Sequence, residues 1–237
     1  MLDERGGYAY VSASSVPGST YAMVRVRPES RRRGVGSALL EAARERTREL
    51  GCDSLWGRVA DDASLEFVDR RGFREVARDL VVQRTVEPGA GEVAPGIIEL
   101  RDEHLQGAYE VSVEAIAEVH APLPAEARPF EEWLEHESRD PAIAFVALDG
   151  DEVVGYARLH TCGVAHRLEH GLTAVRRSHR RRGLATKLKR AEVRWAADHG
   201  YRELRTDTVE GNVGMRAVNE RLGYRPLPPV VIVSGAA

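Results

Sequence analysis

An α/β fold built from two tandem copies of one unit is the class this sequence predicts, and three observations predict it. First, residues 168–175 form an extended run that passes through a basic glycine turn into a helical pattern with Leu184, Leu188, Ala191 and Trp195 on one face. Second, residues 26–37 repeat that arrangement 149 positions earlier, counting Gly34 against Gly183. Both turns read Arg-x-x-Gly-x-(Gly or Ala), follow a strand ending in valine, and open a helix that stops at glycine, Gly51 and Gly200. Third, the 237 residues are 43% hydrophobic and 30% charged, the balance of a globular chain long enough for one large or two ordinary domains.

Taken in order, residues 7–11 and 21–26 are rich in aromatic and β-branched residues and are separated by Ser, Pro and Gly, which predicts a hairpin leading into the first turn. Residues 36–50 carry Leu39, Leu40, Ala42 and Ala43 at helical spacing. A strand at 55–59, a short helix at 64–71 ending at Gly72, and a pair of strands within 73–86 follow. Residues 87–96, rich in Gly and Pro, read as a linker between a first domain, 1–86, and a second, 97–237.

The second domain opens with a short strand at 97–100, a helical pattern over 102–119 and a second helix around 130–136. Two strands, 142–148 and 153–160, flank the turn Asp149-Gly150-Asp151. From Gly155-Tyr156-Ala157, which echoes Gly7-Tyr8-Ala9, the halves run parallel to the end. Residues 97–148 have no counterpart before Gly7. The first half therefore reads either as the end of a longer copy or as a copy reduced to a scaffold.

Composition excludes several classes of function. A net charge of −3 and a pI of about 6.3 make the arginine clusters local features of a mildly acidic chain, which argues against nucleic-acid binding by bulk charge. The longest purely apolar run, residues 142–148, is far shorter than the roughly 20 residues that span a bilayer, and the acidic start lacks the pattern of a signal peptide. Cys52 and Cys162 are too few for a disulfide framework or a zinc site, so a reducing cytoplasm and no metal are expected.

A helix that begins at a glycine turn presents unpaired backbone N–H groups and the positive end of its dipole, which suits a phosphate, and arginines add forked donors. An arginine run is also what a solvated face looks like. The duplicated motif resembles the acetyl-CoA pyrophosphate loop of the GNAT superfamily of N-acetyltransferases, in its tandem, mycothiol-synthase-like form. That resemblance implies two mixed, mostly antiparallel sheets flanked by helices, with the first copy lacking its first strands and helices. It assigns acetyl-CoA as co-substrate to Val175 (main chain), Arg180, Arg181, Arg182, Gly183, Leu184, Ala185 and Thr186, and in the first half to Val26, Arg31, Gly34, Gly36 and Ser37. Asn212, before a short helix ending in Gly223-Tyr224, matches the family's second cofactor element and equally reads as a helix N-cap.

Transfer of acetyl from a thioester to an amine needs a base for the amine, stabilisation of the carbonyl oxygen, and alignment. Glu169, eleven residues before Arg180, stands where histone-type members carry their base, and His160 and His170 are alternatives. Where many members place a tyrosine acid this chain has Asn219, which suits a hydrogen bond to sulfur or pantetheine; the first half has Val68 there, Thr20 at the base position and Asp61 for Asn212. His120, Glu131, Glu132, Trp133 and His136 fall in the stretch expected to hold the acceptor, although first-turn acids and a core tryptophan are the plainer reading of three of them. The expectation is a catalytic second half that acetylates a primary amine in a ternary complex. A non-catalytic acetyl-CoA sensor is the alternative, and a homodimer through the incomplete first sheet is the expected assembly.

Overall fold

The computed structural model describes residues 2–3, 6–14, 16–116, 126–138 and 141–237. These divide into two compact units: the described residues up to 79, with 126 and 228–237, form the first, and 80–116, 127–138 and 141–227 the second.

In the first unit β1 (Leu2–Asp3), β2 (Gly7–Ala13) and β3 (Ser19–Val26) run antiparallel, the hairpin registering Gly7 with Val26 and Ala13 with Thr20. After the glycine turn comes α1 (Val35–Glu49), then β4 (Ser54–Val59), α2 (Asp62–Asp69) and β5 (Arg74–Thr85). β3 and β4 are parallel and pair only from Ser19↔Ser54 to Tyr21↔Trp56. The pair of strands expected at 73–86 is one strand. The stretch has no Gly, Pro or Asn to turn it, and its central Asp79 is buried and ion-paired to Arg58 at 3.2 Å instead of marking a bend. Its neighbour in this unit is the last strand of the chain, Val230–Ala236, which lies between β4 and residues 74–79 of β5. The core under this sheet includes an apolar cluster of Leu40, Ala43, Leu55, Phe73, Val231 and Val233.

The second unit takes residues 80–85 of β5 and adds β6 (Ile97–Glu99), α3 (Leu105–Ile116), α4 (Phe130–Glu137), β7 (Pro141–Asp149), β8 (Glu152–Thr161), β9 (Arg167–Val175), α5 (Leu184–Asp198), β10 (Glu203–Val209), α6 (Val213–Arg221) and β11 (Arg225–Pro226); the chain then ends in β12, the strand already described. Its strand order is β5-β10-β9-β8-β7-β6, antiparallel from β9 to β6 and parallel between β9 and β10, with β11 on β5. Successive strand residues face opposite sides of a sheet. Phe145 and Ala147 pack on α5 with Leu188 and Ala191, while Val146 between them packs with Ala108 and Val111 of α3 and Trp133 of α4. Helix α5 therefore covers one face, and α3 with α4 the other. Residues 87–96, flexible by composition, are packed along α5: Ala90 and Ala94 join its core clusters and Glu92 pairs with Arg190 at 2.7 Å.

Candidate functional site

The two glycine turns have the same backbone. Gly183 and Gly34 sit in the left-handed region at φ 78° and 82° as N-caps of α5 and α1. Two residues earlier Arg181 and Arg32 are also left-handed, at φ 61° and 60°. A non-glycine residue there costs about 1–2 kcal/mol, so the turn is held against local preference in both copies. Arg180 Nε donates to the Val175 carbonyl at 3.0 Å and Arg31 Nε to that of Val26 at 3.3 Å, tying each turn to the end of its strand. Arg180, Arg181 and Arg182 are exposed, Leu184 and Ala185 half-buried and Thr186 buried, so the first-turn amides of α5 open beside a cationic rim. In the first half Gly36 and Ser37 occupy the same place; the Ser37 hydroxyl accepts from Arg71 at 2.7 Å, and that guanidinium lies 3.7 Å from the Phe67 ring centroid.

Strands β9 and β10 pair only from Arg167↔Glu203 to Glu169↔Arg205, although β9 runs on to Val175 and β10 to Val209. Beyond Glu169 the strands separate. Glu169 is registered opposite His160 of β8, so the two side chains share a face, with Oε2 and Nε2 at 4.0 Å. Tyr156 and Arg158 alternate with His160 on that face. Tyr156 Oη donates to Glu137 of α4, and Arg158 pairs with Glu137 at 2.8 Å and donates to its carbonyl at 3.1 Å. Burial, then the Arg158 charge, holds His160 below the usual histidine range, so it is a neutral imidazole near pH 7. The Arg158 side chain crosses β9 at Gly171, where a Cβ would come within 2.7 Å of Arg158 Cγ, at a register shift between the pairs Ala157↔Thr173 and Leu159↔His170. Sequence reasoning missed Tyr156, Arg158 and Glu137; the available signal was the run of polar residues at every second position of an otherwise apolar strand.

His170 faces the other way and is committed. Its Nδ1 lies 2.9 Å from Glu192 Oε2 and its Nε2 accepts from Tyr224, all three being buried. Burial, then the neighbouring Lys189 charge, keeps it neutral, which assigns Nδ1–H as donor to Glu192 and Tyr224 O–H as donor to Nε2. It has no free nitrogen to act as base. Asn219 on α6 is 2% exposed, and both its amide atoms lack a partner among the described residues. Asn212 is exposed and accepts from the Met215 amide at 3.0 Å as the N-cap of α6; Asp61 does the same for Ser64 at α2.

Of the residues expected to line the acceptor side, Glu131 and Glu132 are exposed in the first turn of α4. Trp133 is core, packed on Tyr109, Phe130 and Tyr156. His136 is exposed with Nδ1 3.3 Å from Glu137, and His120 lies outside the described residues. In the first half Thr20 is fully buried and hydrogen-bonded to Thr47 at 2.7 Å. A cavity of about 510 Å³ opens there between the diverging β3 and β4, lined by Val26, Arg31, Gly34, Gly36, Ser37 and Trp56 among others. Among the described residues no group of His, Cys, Asp and Glu is arranged to hold a metal, and no helix is long and apolar enough to cross a membrane.

A family model described as the acetyltransferase (GNAT) family matches residues 7–73 and 107–224. No curated protein matches the chain. Among solved structures, a GCN5-related N-acetyltransferase from Sphaerobacter thermophilus aligns with a TM-score of 0.74 at 21% identity, over 98% of this chain and 76% of that one. A tandem GNAT protein from the clavulanic acid biosynthesis pathway, solved without AcCoA, aligns at 0.71 and 24% identity over 92% and 75%. A GCN5-related N-acetyltransferase from Kribbella flavida aligns at 0.63 and 16% over 96% and 90%. At these identities the likeness to the solved structures is one of fold.

Proposed function

The chain belongs to the GNAT acetyltransferase family and is an acyltransferase, and from that premise we propose that its second half moves the acetyl group of acetyl-CoA directly to a primary amine in a ternary complex. One observation carries the assignment to this half. Glu169 stands at the last paired register of β9 and β10, where the strands part, with neutral His160 beside it on the face covered by α4. The amine loses its proton to Glu169, with His160 in reach to share it, while the Tyr156–Glu137–Arg158 latch holds α4 over them. Arg180 to Thr186 supply the anion-binding rim for the pyrophosphate, and the Val175 main chain, Asn212 and Asn219 are assigned to the pantetheine. Asn219 suits this because its buried amide has hydrogen bonds left to make.

For the first half the 510 Å³ cavity favours a second role, acetyl-CoA binding without turnover, through Val26, Arg31, Gly34, Gly36 and Ser37. Thr20 is spent on Thr47, and Val68 stands where an acid would be needed. A cytoplasmic location and pairing of two copies through the sheet of the first half belong to the same proposal.

The test combines an amine panel, read by CoA release, with calorimetry. Gly183→Glu places a carboxylate in the rim and is expected to abolish turnover and one equivalent of acetyl-CoA binding, whereas Gly34→Glu removes the other equivalent. Acetyl-CoA binding with hydrolysis alone and no amine acetylated would favour a sensor. Undiminished binding in Gly183→Glu would remove the phosphate-rim assignment.

A further inference from the structure

Helix α5 carries a buried cation that the packing does not require. Lys189 is 1% exposed, and its Nζ has no hydrogen-bond partner among the described residues; the Tyr224 ring centroid lies 5.4 Å away. Burying an ammonium without hydrogen bonds is unfavourable. The first copy fills the same positions with carbon: Leu40 stands for Lys189, Ala43 for Glu192 and Phe73 for Tyr224, all buried in one apolar cluster. The charge therefore belongs to something the second copy does and the first does not.

Its position shows what that is. The last β9–β10 pair is Glu169↔Arg205, and the Tyr224 ring that faces Lys189 Nζ carries the hydroxyl bonded to His170, the next residue of β9. The ammonium thus lies at the opening between the strands. It lies on the α5 side, because His170 and Glu169 are consecutive and face opposite ways. A thioester seated in that opening meets Glu169 and His160 from one face and Lys189 from the other, so attack and departure take opposite sides.

We propose that Lys189 is the proton donor to the sulfur that leaves. This rests on the second half being the acetyl-transfer site. As the C–S bond breaks and its electron pair passes to sulfur, Lys189 Nζ–H gives that sulfur a proton. The proton lost by the acceptor nitrogen goes to Glu169. Thioester and amine become thiol and amide, and both residues regain their starting charge by exchange with solvent after the thiol departs. Asn219 has no acidic proton and supplies at most a hydrogen bond, while the protons of Tyr224 and His170 are committed to His170 and Glu192. Burial pushes the Lys189 ammonium down to about 8, with Glu192 and Asp207 opposing, close to the roughly 8.5 of a thiol and so matched to the transfer.

CoA itself, bound to the full chain, is the probe, and its thiolate is followed by ultraviolet absorbance against pH. In the parent the bound thiol is expected to ionise on the order of one pH unit below free CoA, because an ammonium faces it. In Lys189→Met, and in Lys189→Leu, which installs the residue the first copy already packs, it is expected to return to the free value. Because only the second half is altered, the difference between parent and variant reports that half alone. An identical bound thiol in parent and variants overturns the proposal. So does loss of CoA binding in both variants, since Lys189 is then a structural residue. Failure of the underlying assignment shows separately, as undiminished CoA binding in Gly183→Glu.

Discussion

Glu169 and His160 face each other across β9 and β8, and burial, then the charge of Arg158 two residues before it, favours the neutral form of His160. Glu169→Gln is expected to lower the acetylation rate about 10²- to 10⁴-fold, most at low pH, with partial recovery at high pH where the acceptor deprotonates unaided. An unchanged pH-rate profile moves the base to His160 or a water. His160 and His170 both have their folded values lowered, so the neutral forms are the ones the fold favours. Their contribution to stability is complete above the unfolded value of about 6.5 and is lost as the pH falls below it. Thermal melts should show a falling Tm over that acid range, and Arg158→Met should raise the His160 titration followed by NMR. Glu169 is named from the sequence by a count of residues from the glycine turn, and the structure sets it opposite His160. Arg158, Tyr156 and Glu137 were not, because their meeting depends on where α4 docks, and His170 could not be recognised as structural until Glu192 and Tyr224 were seen on its two nitrogens.

Helices α1 and α5 start from turns with matching left-handed residues yet bury different chemistry, Leu40 and Ala43 against Lys189 and Glu192. The lowered Lys189 value has a definite stability consequence. Between about 8 and its unfolded 10.5 the unfolded chain holds the proton and the folded chain does not, so the Lys189 contribution rises with pH across that window and is flat below it. Relative to Lys189→Met, the parent should gain on the order of 3 kcal/mol there, read from denaturant midpoints. Strand, turn and helix at both loops were legible because a glycine at positive φ and an apolar stripe are local signals. Lys189 escaped notice because a lysine within an amphipathic helix ordinarily lies at its wet edge, and only the match to Leu40 marks it as inward. The single strand β5 escaped notice because its continuity depends on a distant partner, Arg78 and Asp79 pairing with Val231 and Val230.

At the scale of the molecule, duplication was legible in the repeated turn, whereas the placement of the last strand was not, since no local pattern names the partner of a strand. β12 completes the first unit by pairing with β4 over Ser54–Val59 and with β5 over Arg74–Asp79. A chain ended at Leu227 should therefore lose hydrogen-exchange protection in β2, β3 and β4 while α5, β8 and β9 keep theirs; retained protection in β4 means that the first unit does not depend on this strand. Sedimentation should show a dimer that dissociates when a proline in β2 disrupts the first-half sheet, and a monomer in the parent removes that part of the proposal. The pairing of Val231 with Val59 also bears on synthesis. A ribosome makes β4 long before β12 exists, so the nascent first unit keeps two bare strand edges throughout translation of the second. Its closing step is a contact between distant parts of the chain and is correspondingly slow. A stalled or clipped product would thus retain the residues proposed for chemistry while displaying a sheet edge able to capture an extended segment of another polypeptide.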